Sequence, residues 1–394
     1  MTIRKIGFIA LFFFTSILCF GQPYSFPIKP GTKEWEALGS YEARSMVCQV
    51  PNSVLSSMSD EDLLETCFNH PFAINILLFS SDKEGFESLV RSFNVFKELT
   101  SRYRAKEIGQ RILNQLPLDE DKDGISTIIK KRILQTWLGT SSNYRSMGSV
   151  IVKTPKGSTV VDTDIVTDPD WTYDQKSAIA DTVLQAYQGV SIVGPASKKY
   201  NCHAYAWHIS EGGMAVWMGL SSNPTSIYWT DGSYSQINCQ DNGLKVSYSN
   251  DNHSAVTTGS VGVFISKWGN GPLVCHSYNN CPYVSTGLNY YIRNYPPQAY
   301  IQGRFAQNAQ WSTLNTVNIV NRTQAITLQV DYPNSYLITW EKTSGGSDVQ
   351  YGPETSDGKT AGLIMNSSNS VSLKATAHIP CGTIETEFYF ISTN

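Results

Sequence analysis

The spacing of apolar residues changes once along this chain, and that change limits the folds open to it. Between residues 30 and 140 apolar side chains return every three or four positions, the period of one helix face. Ser81-Asp82-Lys83-Glu84 reads as a capping box, and Phe86, Leu89, Val90, Phe93, Phe96 and Leu99 follow at helical spacing. Ser59 caps a segment holding Leu63, Leu64, Cys67 and Phe68, and a last helix over 126–138 stops at Gly139. From about residue 146 the texture turns to short strands at 150–152 and 159–166. One more capping box, Thr172-Tyr173-Asp174-Gln175, opens a helix with Ile179, Val183, Leu184 and Tyr187 that ends by Gly189. Strands resume at 244–248, 253–257, 261–268 and 272–277. Helices followed by an antiparallel sheet make this middle part α+β.

Beyond about residue 300 every segment reads as strand or turn: 325–330, 336–340, 371–377 and 387–391, punctuated by Gly345-Gly346 and Asp357-Gly358. The pattern predicts a small Ig-like sandwich, without the cysteine pair and tryptophan spacing of antibody domains. The chain is thus expected to be multidomain. A helical domain at 22–145 and an α+β domain at 146–300 precede an all-β domain at 301–394. Before them, Arg4 and Lys5 lead an apolar run over 6–20, and Cys19-Phe20-Gly21 offers a cleavage site. This predicts a signal peptide at 1–21 and an exported product with no stable membrane insertion.

Charge excludes some functions. The net charge is −3 and charged residues are 16% of the 394, so no nucleic-acid or anionic-membrane surface is expected. Of the eight cysteines, Cys48, Cys67, Cys202, Cys239, Cys275, Cys281 and Cys381 follow the targeting segment. An odd number in an oxidising compartment leaves a thiol unpaired, and Cys202 is the candidate. The other six leave disulfide connectivity open.

The chemistry concentrates in Tyr200-Asn201-Cys202-His203-Ala204-Tyr205-Ala206-Trp207 and in Asn252-His253-Ser254-Ala255-Val256. The first predicts a cysteine opening a short helix, where free N–H groups favour the nucleophilic thiolate. The second predicts a histidine at a strand start, able to take the thiol proton and return it to a leaving group. The N–H of Cys202 and a donor from Tyr200 or Asn201 would hold the oxyanion. His203 and His208 are five apart, a poor facing pair for a metal. Asp119-Glu120-Asp121-Lys122-Asp123-Gly124 begins like a calcium loop but has Lys130 at position twelve. No metal and no cofactor is expected.

These two blocks, with Val246-Ser247-Tyr248 leading to His253, resemble the NlpC-type and CHAP-type cysteine amidopeptidases over about residues 150–295. The closer likeness, through Tyr-Asn-Cys-His, Ala-Trp and Ser266-Lys267-Trp268-Gly269, is to a group of exported bacterial proteins. The resemblance implies a papain-like fold for the central domain and cleavage of amide bonds in cell-wall peptides. It also implies a third residue holding the imidazole. The strand after His253 offers no carboxylate, so Ser266, His276 or a backbone carbonyl are the candidates. A two-residue turn at Thr258-Gly259 would set Phe264 opposite His253 with Ser266 on its face, and a three-residue turn would bring Lys267 there. The rival expectation is a catalytically inactive papain-like scaffold that serves as a surface-binding or adhesion protein.

Overall fold

The computed structural model describes residues 22–117, 122–140, 147–219, 225–294, 300–305, 310–332, 334–366 and 370–393. The expected targeting segment and the acids at 119–121 lie outside them. Helices fill the first part, and the rest is mostly strand in largely antiparallel sheets.

The caps are where local chemistry puts them. Ser59 Oγ accepts from Asp62 N at 3.1 Å, opening Asp60–Phe68, and Ser81 Oγ accepts from Glu84 N at 3.2 Å, opening Asp82–Ser92. Thr172 and Gln175 form both halves of a capping box at Tyr173–Ala186. Gly139 ends Ile125–Leu138 in the left-handed conformation, at φ +73°. One stripe differs from expectation. The helix through Phe86 and Leu99 breaks at Phe93, which is extended. Asn94 N donates to Gln49 Oε1 at 3.0 Å, and the Asn94 amide grips both backbone groups of Val50, at 3.0 and 2.7 Å. These bonds take the backbone group a continuous helix would need.

The central sheet has seven antiparallel strands in the order Ser191–Gly194, Leu273–Ser277, Val263–Lys267, Ser254–Thr257, Lys245–Ser247, Asn289–Arg293, Tyr234–Ile237. Its two faces differ. Val246, Tyr248, Ala255, Phe264, Trp268 and Val274 point to the helical region and join Trp35, Phe72, Phe96 and Leu134 in one apolar core. Val256 points the other way, toward the short helix Cys202–Trp207, where Ala204, Ala206, Trp207, Tyr228 and Tyr234 form a second core.

The expected boundary near residue 146 is therefore spanned by continuous packing. Polar contacts cross it as well: Tyr187 Oη to Asn75 Oδ1 at 2.6 Å, and buried Arg44 Nη1 to Asn280 Oδ1 at 2.9 Å. The tightest approach is at Gly269, which has φ +47° and faces the backbone of Phe79. A Cβ there would lie 2.2 Å from Phe79 O. Gly269→Ala is expected to cost about 3 kcal/mol or more, from left-handed strain plus the clash. Urea unfolding measures it, and a loss below about 1 kcal/mol would mean that the 78–79 backbone yields freely.

The last part holds a five-stranded and a four-stranded sheet over one core that includes Leu328, Ile338, Leu363, Leu373 and Phe390. Within the four-stranded sheet Val317–Asn321 runs parallel to Gly382–Thr393. A disulfide, Cys239–Cys381, with Cα atoms 6.1 Å apart, ties this sandwich to the central sheet. Cys48, Cys67, Cys202, Cys275 and Cys281 are free. No helix among the described residues is long and apolar enough to cross a membrane.

Candidate functional site

Cys202 is the first residue of the six-residue helix Cys202–Trp207 and is 2% exposed. Asn201 is its N-cap. Asn201 Oδ1 accepts from Ala204 N at 3.1 Å, and Nδ2 donates to Met218 O at 2.6 Å and to Ser80 Oγ at 3.4 Å. That side-chain amide is thus spent on structure. Tyr200 lies under the Lys267 ammonium, 4.8 Å from ring centre to Nζ.

The imidazole coupled to Cys202 belongs to its neighbour, His203. Burial alone would depress this ring. The charge of Cys202 and a hydrogen bond to it, then the charges of Asp251 and Glu84, outweigh burial and push His203 up to about 9. Its Nδ1 meets Ser254 Oγ at 2.9 Å, and the same oxygen accepts from Trp207 Nε1 at 3.0 Å. A serine hydroxyl with two lone pairs can accept both N–H groups, which fits a doubly protonated ring. The charged form of His203 would add its positive charge to the helix N-terminus beside the sulfur.

His253 goes elsewhere, for a reason of parity. Successive side chains of a strand point to opposite faces. Ser254 faces the Cys202 helix, and His253, one residue earlier, turns toward the helical region. Its ring stacks on Tyr283 at 3.5 Å and 12°, and meets Tyr248 edge-on at 4.8 Å. Tyr283 Oη donates to Leu78 O. Both His253 ring nitrogens are buried and hydrogen-bond to no described residue, so the expected bond to Cys202 is not formed. Burial, then the charges of His276 and His203, hold His253 well below the ordinary imidazole value. Cys202 acts electrostatically on Tyr283 and Tyr248, the rings that flank His253.

Neither expected third residue reaches His253. The register is Phe264↔Thr257 and Ile265↔Val256, set by a longer connection than the two- or three-residue turn expected. The next hairpin, with Phe264↔His276 and Ser266↔Val274, puts Ser266 and His276 together instead, Oγ to Nε2 at 2.7 Å. Trp268 Nε1 donates to Ser266 Oγ at 3.0 Å, and His276 Nδ1 donates to Ser277 O at 2.9 Å. The site thus holds two similar relays on either side of His253, His203–Ser254–Trp207 and His276–Ser266–Trp268. Lys267 is buried on the opposite face, its Nζ donating to Ser197 O at 2.9 Å.

Sequence reasoning missed His203, Ser254, Asp251 and Glu84. The carboxylate that acts by its charge on His203 is Asp251, two residues before His253. Asp251 sits on a tight turn at φ +51°, its Oδ1 accepting from Ser247 Oγ at 2.9 Å and its Oδ2 from Thr225. A non-glycine residue in that region signals a constrained position. Glu84, exposed at the rim, comes from the helical region. Desolvation raises its carboxyl, and the charge of His203 pulls it back. No group of three His, Cys, Asp or Glu that could hold a metal occurs among the described residues.

Burial pushes His276 down to about 4. Buried His70, packed among Phe26, Phe93 and Phe96, is pushed to about 3. Its Nδ1 accepts from Phe72 N at 3.1 Å, so protonation there would set two N–H groups face to face. Both folded values lie below the unfolded one near 6.5, so the stability they contribute is full above about pH 6.5. It is lost as pH falls from there toward 4. The melting temperature should drop by roughly 5 °C or more between pH 7.5 and 4.5. An unchanged value would mean that these rings titrate normally.

No family model, no curated protein and no solved structure matches this chain.

Proposed function

We propose that this protein is an exported thiol hydrolase that cleaves amide bonds. Cys202 attacks the carbonyl carbon and His203 is its acid–base partner. His203 protonates the departing amine, and water then hydrolyses the thioester, with His203 as base. Ser254 orients the ring and Asp251 favours its charged form. The observation that carries the reading is an imidazole pushed to about 9 by the adjacent Cys202, with Ser254 on its other nitrogen. The residues resembling NlpC-type and CHAP-type amidopeptidases add a substrate class, cell-wall peptides, and a papain-like reading of the central sheet with an Ig-like reading of the terminal sandwich. One observation favours an inactive, surface-binding scaffold instead: Cys202 is 2% exposed.

Iodoacetamide separates the two. Burial raises the other free thiols, Cys48 and Cys281 to about 12, with Cys67 and Cys275 also up. Brief treatment of the folded mature protein at pH 7.5, then peptide mapping, should find Cys202 labelled at least about tenfold faster than Cys275. Slower labelling of Cys202 than of Cys275 would favour the scaffold.

A further inference from the structure

A groove of about 520 Å³ opens on the helical region, between the arm at 23–30, the segment 69–71 and the last turns of Tyr173–Ala186. That size is usual for a small-ligand site, roughly 300–1,000 Å³. None of its lining residues belongs to the Cys202 site. Its walls are fixed before any ligand arrives. Pro23, Pro30 and Pro71 line it, and their rings lock the backbone. Tyr24 N donates to Thr66 Oγ1 at 2.9 Å, and the Tyr24 ring meets Phe26 edge-on at 5.1 Å. Phe26 is itself buried against His70, edge-on at 4.9 Å. Gln185 is anchored by its carbonyl, which accepts from Trp35 Nε1 at 2.9 Å.

The lining chemistry narrows the ligand. Among the described residues no His, Cys, Asp, Glu or Arg lines the groove. It therefore offers no imidazole, thiolate or carboxylate to a metal and no carboxylate to an amine. Lys29 alone, without an arginine, is a poor match for a phosphate. Proline has no N–H, so these walls cannot pair with an extended peptide as a sheet edge does. A lipid chain would desolvate the polar groups of Asn69, Thr182 and Gln185 without giving them partners. Those three groups suit hydroxyls. Each amide both donates and accepts, and Thr182 Oγ1, which donates to Ala178 O at 2.7 Å, can still accept. Asn69 and Gln185 are exposed and open to a ligand. We propose that this groove binds a neutral oligosaccharide. The C–H face of a sugar ring lies on Tyr24 and the prolines, and its hydroxyls bond to Asn69, Thr182 and Gln185. Sugar binding here needs no hydrolysis at Cys202.

The test is isothermal calorimetry on the full mature chain. The probes are cellotriose, chitotriose and maltotriose, with N-acetyl-trialanine amide as the peptide control. At least one sugar should saturate a single site with a Kd of about 1 mM or tighter. The peptide should bind at least about tenfold more weakly. Tyr24→Ala should weaken the bound sugar about tenfold, because the stacking ring is gone. Asn69→Ala and Gln185→Ala should each weaken it about fivefold, and both change exposed side chains that the fold does not need. Raising salt from about 50 to 500 mM on the unaltered chain should leave the affinity as it is, since no charge pair forms. Failure of all three sugars to bind, equal binding of the peptide, a tenfold loss in salt, or affinity unchanged in all three variants would overturn the proposal.

Discussion

Cys202→Ala should abolish amide hydrolysis, by about a thousandfold or more, and leave the fold intact. His203→Gln should lower it by about a hundred- to ten-thousandfold, because the proton for the leaving amine is then missing. The double variant should be little worse than Cys202→Ala alone, since partners in one step are strongly non-additive. His253→Phe is the discriminating change. It keeps a ring on Tyr283, 3.5 Å away, and removes only nitrogens that bond to no described residue. It should retain at least about a tenth of the activity. A His253→Phe enzyme as dead as Cys202→Ala would return the base to His253 and sink the role given to His203. The pH profile adds an independent sign. The acid form of His203 is present below about 9 and lost above it, so turnover should fall as pH rises through that value. New amino groups released from bacterial cell-wall fragments are the readout, with casein as protein control.

Loss of the disulfide should have the largest effect on stability. Cys239 and Cys381 are 142 residues apart. Closing a loop of that size removes about 5 kcal/mol of chain entropy from the unfolded state. Among the described residues, hydrogen bonds also tie the sandwich down beside it. They include Asn334 Nδ2 to Arg293 O at 3.1 Å and Cys381 N to Asp241 Oδ2 at 2.9 Å. Cys381→Ser should therefore lower the melting temperature of the sandwich by roughly 10 °C or more. Reductant should do the same to the unaltered protein. A shift under about 2 °C in both would mean that the cross-link scarcely restricts the unfolded chain.

Local signals in the chain were strong wherever one residue type meets one backbone need. Ser59, Ser81 and Thr172 start helices because a short side-chain oxygen reaches the third N–H, and Gly139 stops one because it tolerates a positive φ. Cys202 opening a helix, the strand after His253 and the all-strand terminal part were legible on the same grounds. The break at Phe93 was not, because Gln49 and Val50, which take the bonds of Asn94, are more than forty residues away.

The partners of Cys202 depended on tertiary structure. A strand alternates faces, so whether His253 or Ser254 meets the helix rests on which side of the sheet the helix packs, and the local pattern is the same either way. Ser266 meets His276 through the register of the hairpin that joins their two strands, Phe264↔His276 and Ser266↔Val274. Glu84 reaches the site from a helix more than a hundred residues earlier, across a core that the change of period near residue 146 had marked as a boundary. Spacing along the chain therefore determined the elements and the place of Cys202 at a helix start. Only packing decided which imidazole stands beside it, because a contact between distant segments is paid for by burial of shared surface and leaves no periodic trace in either one.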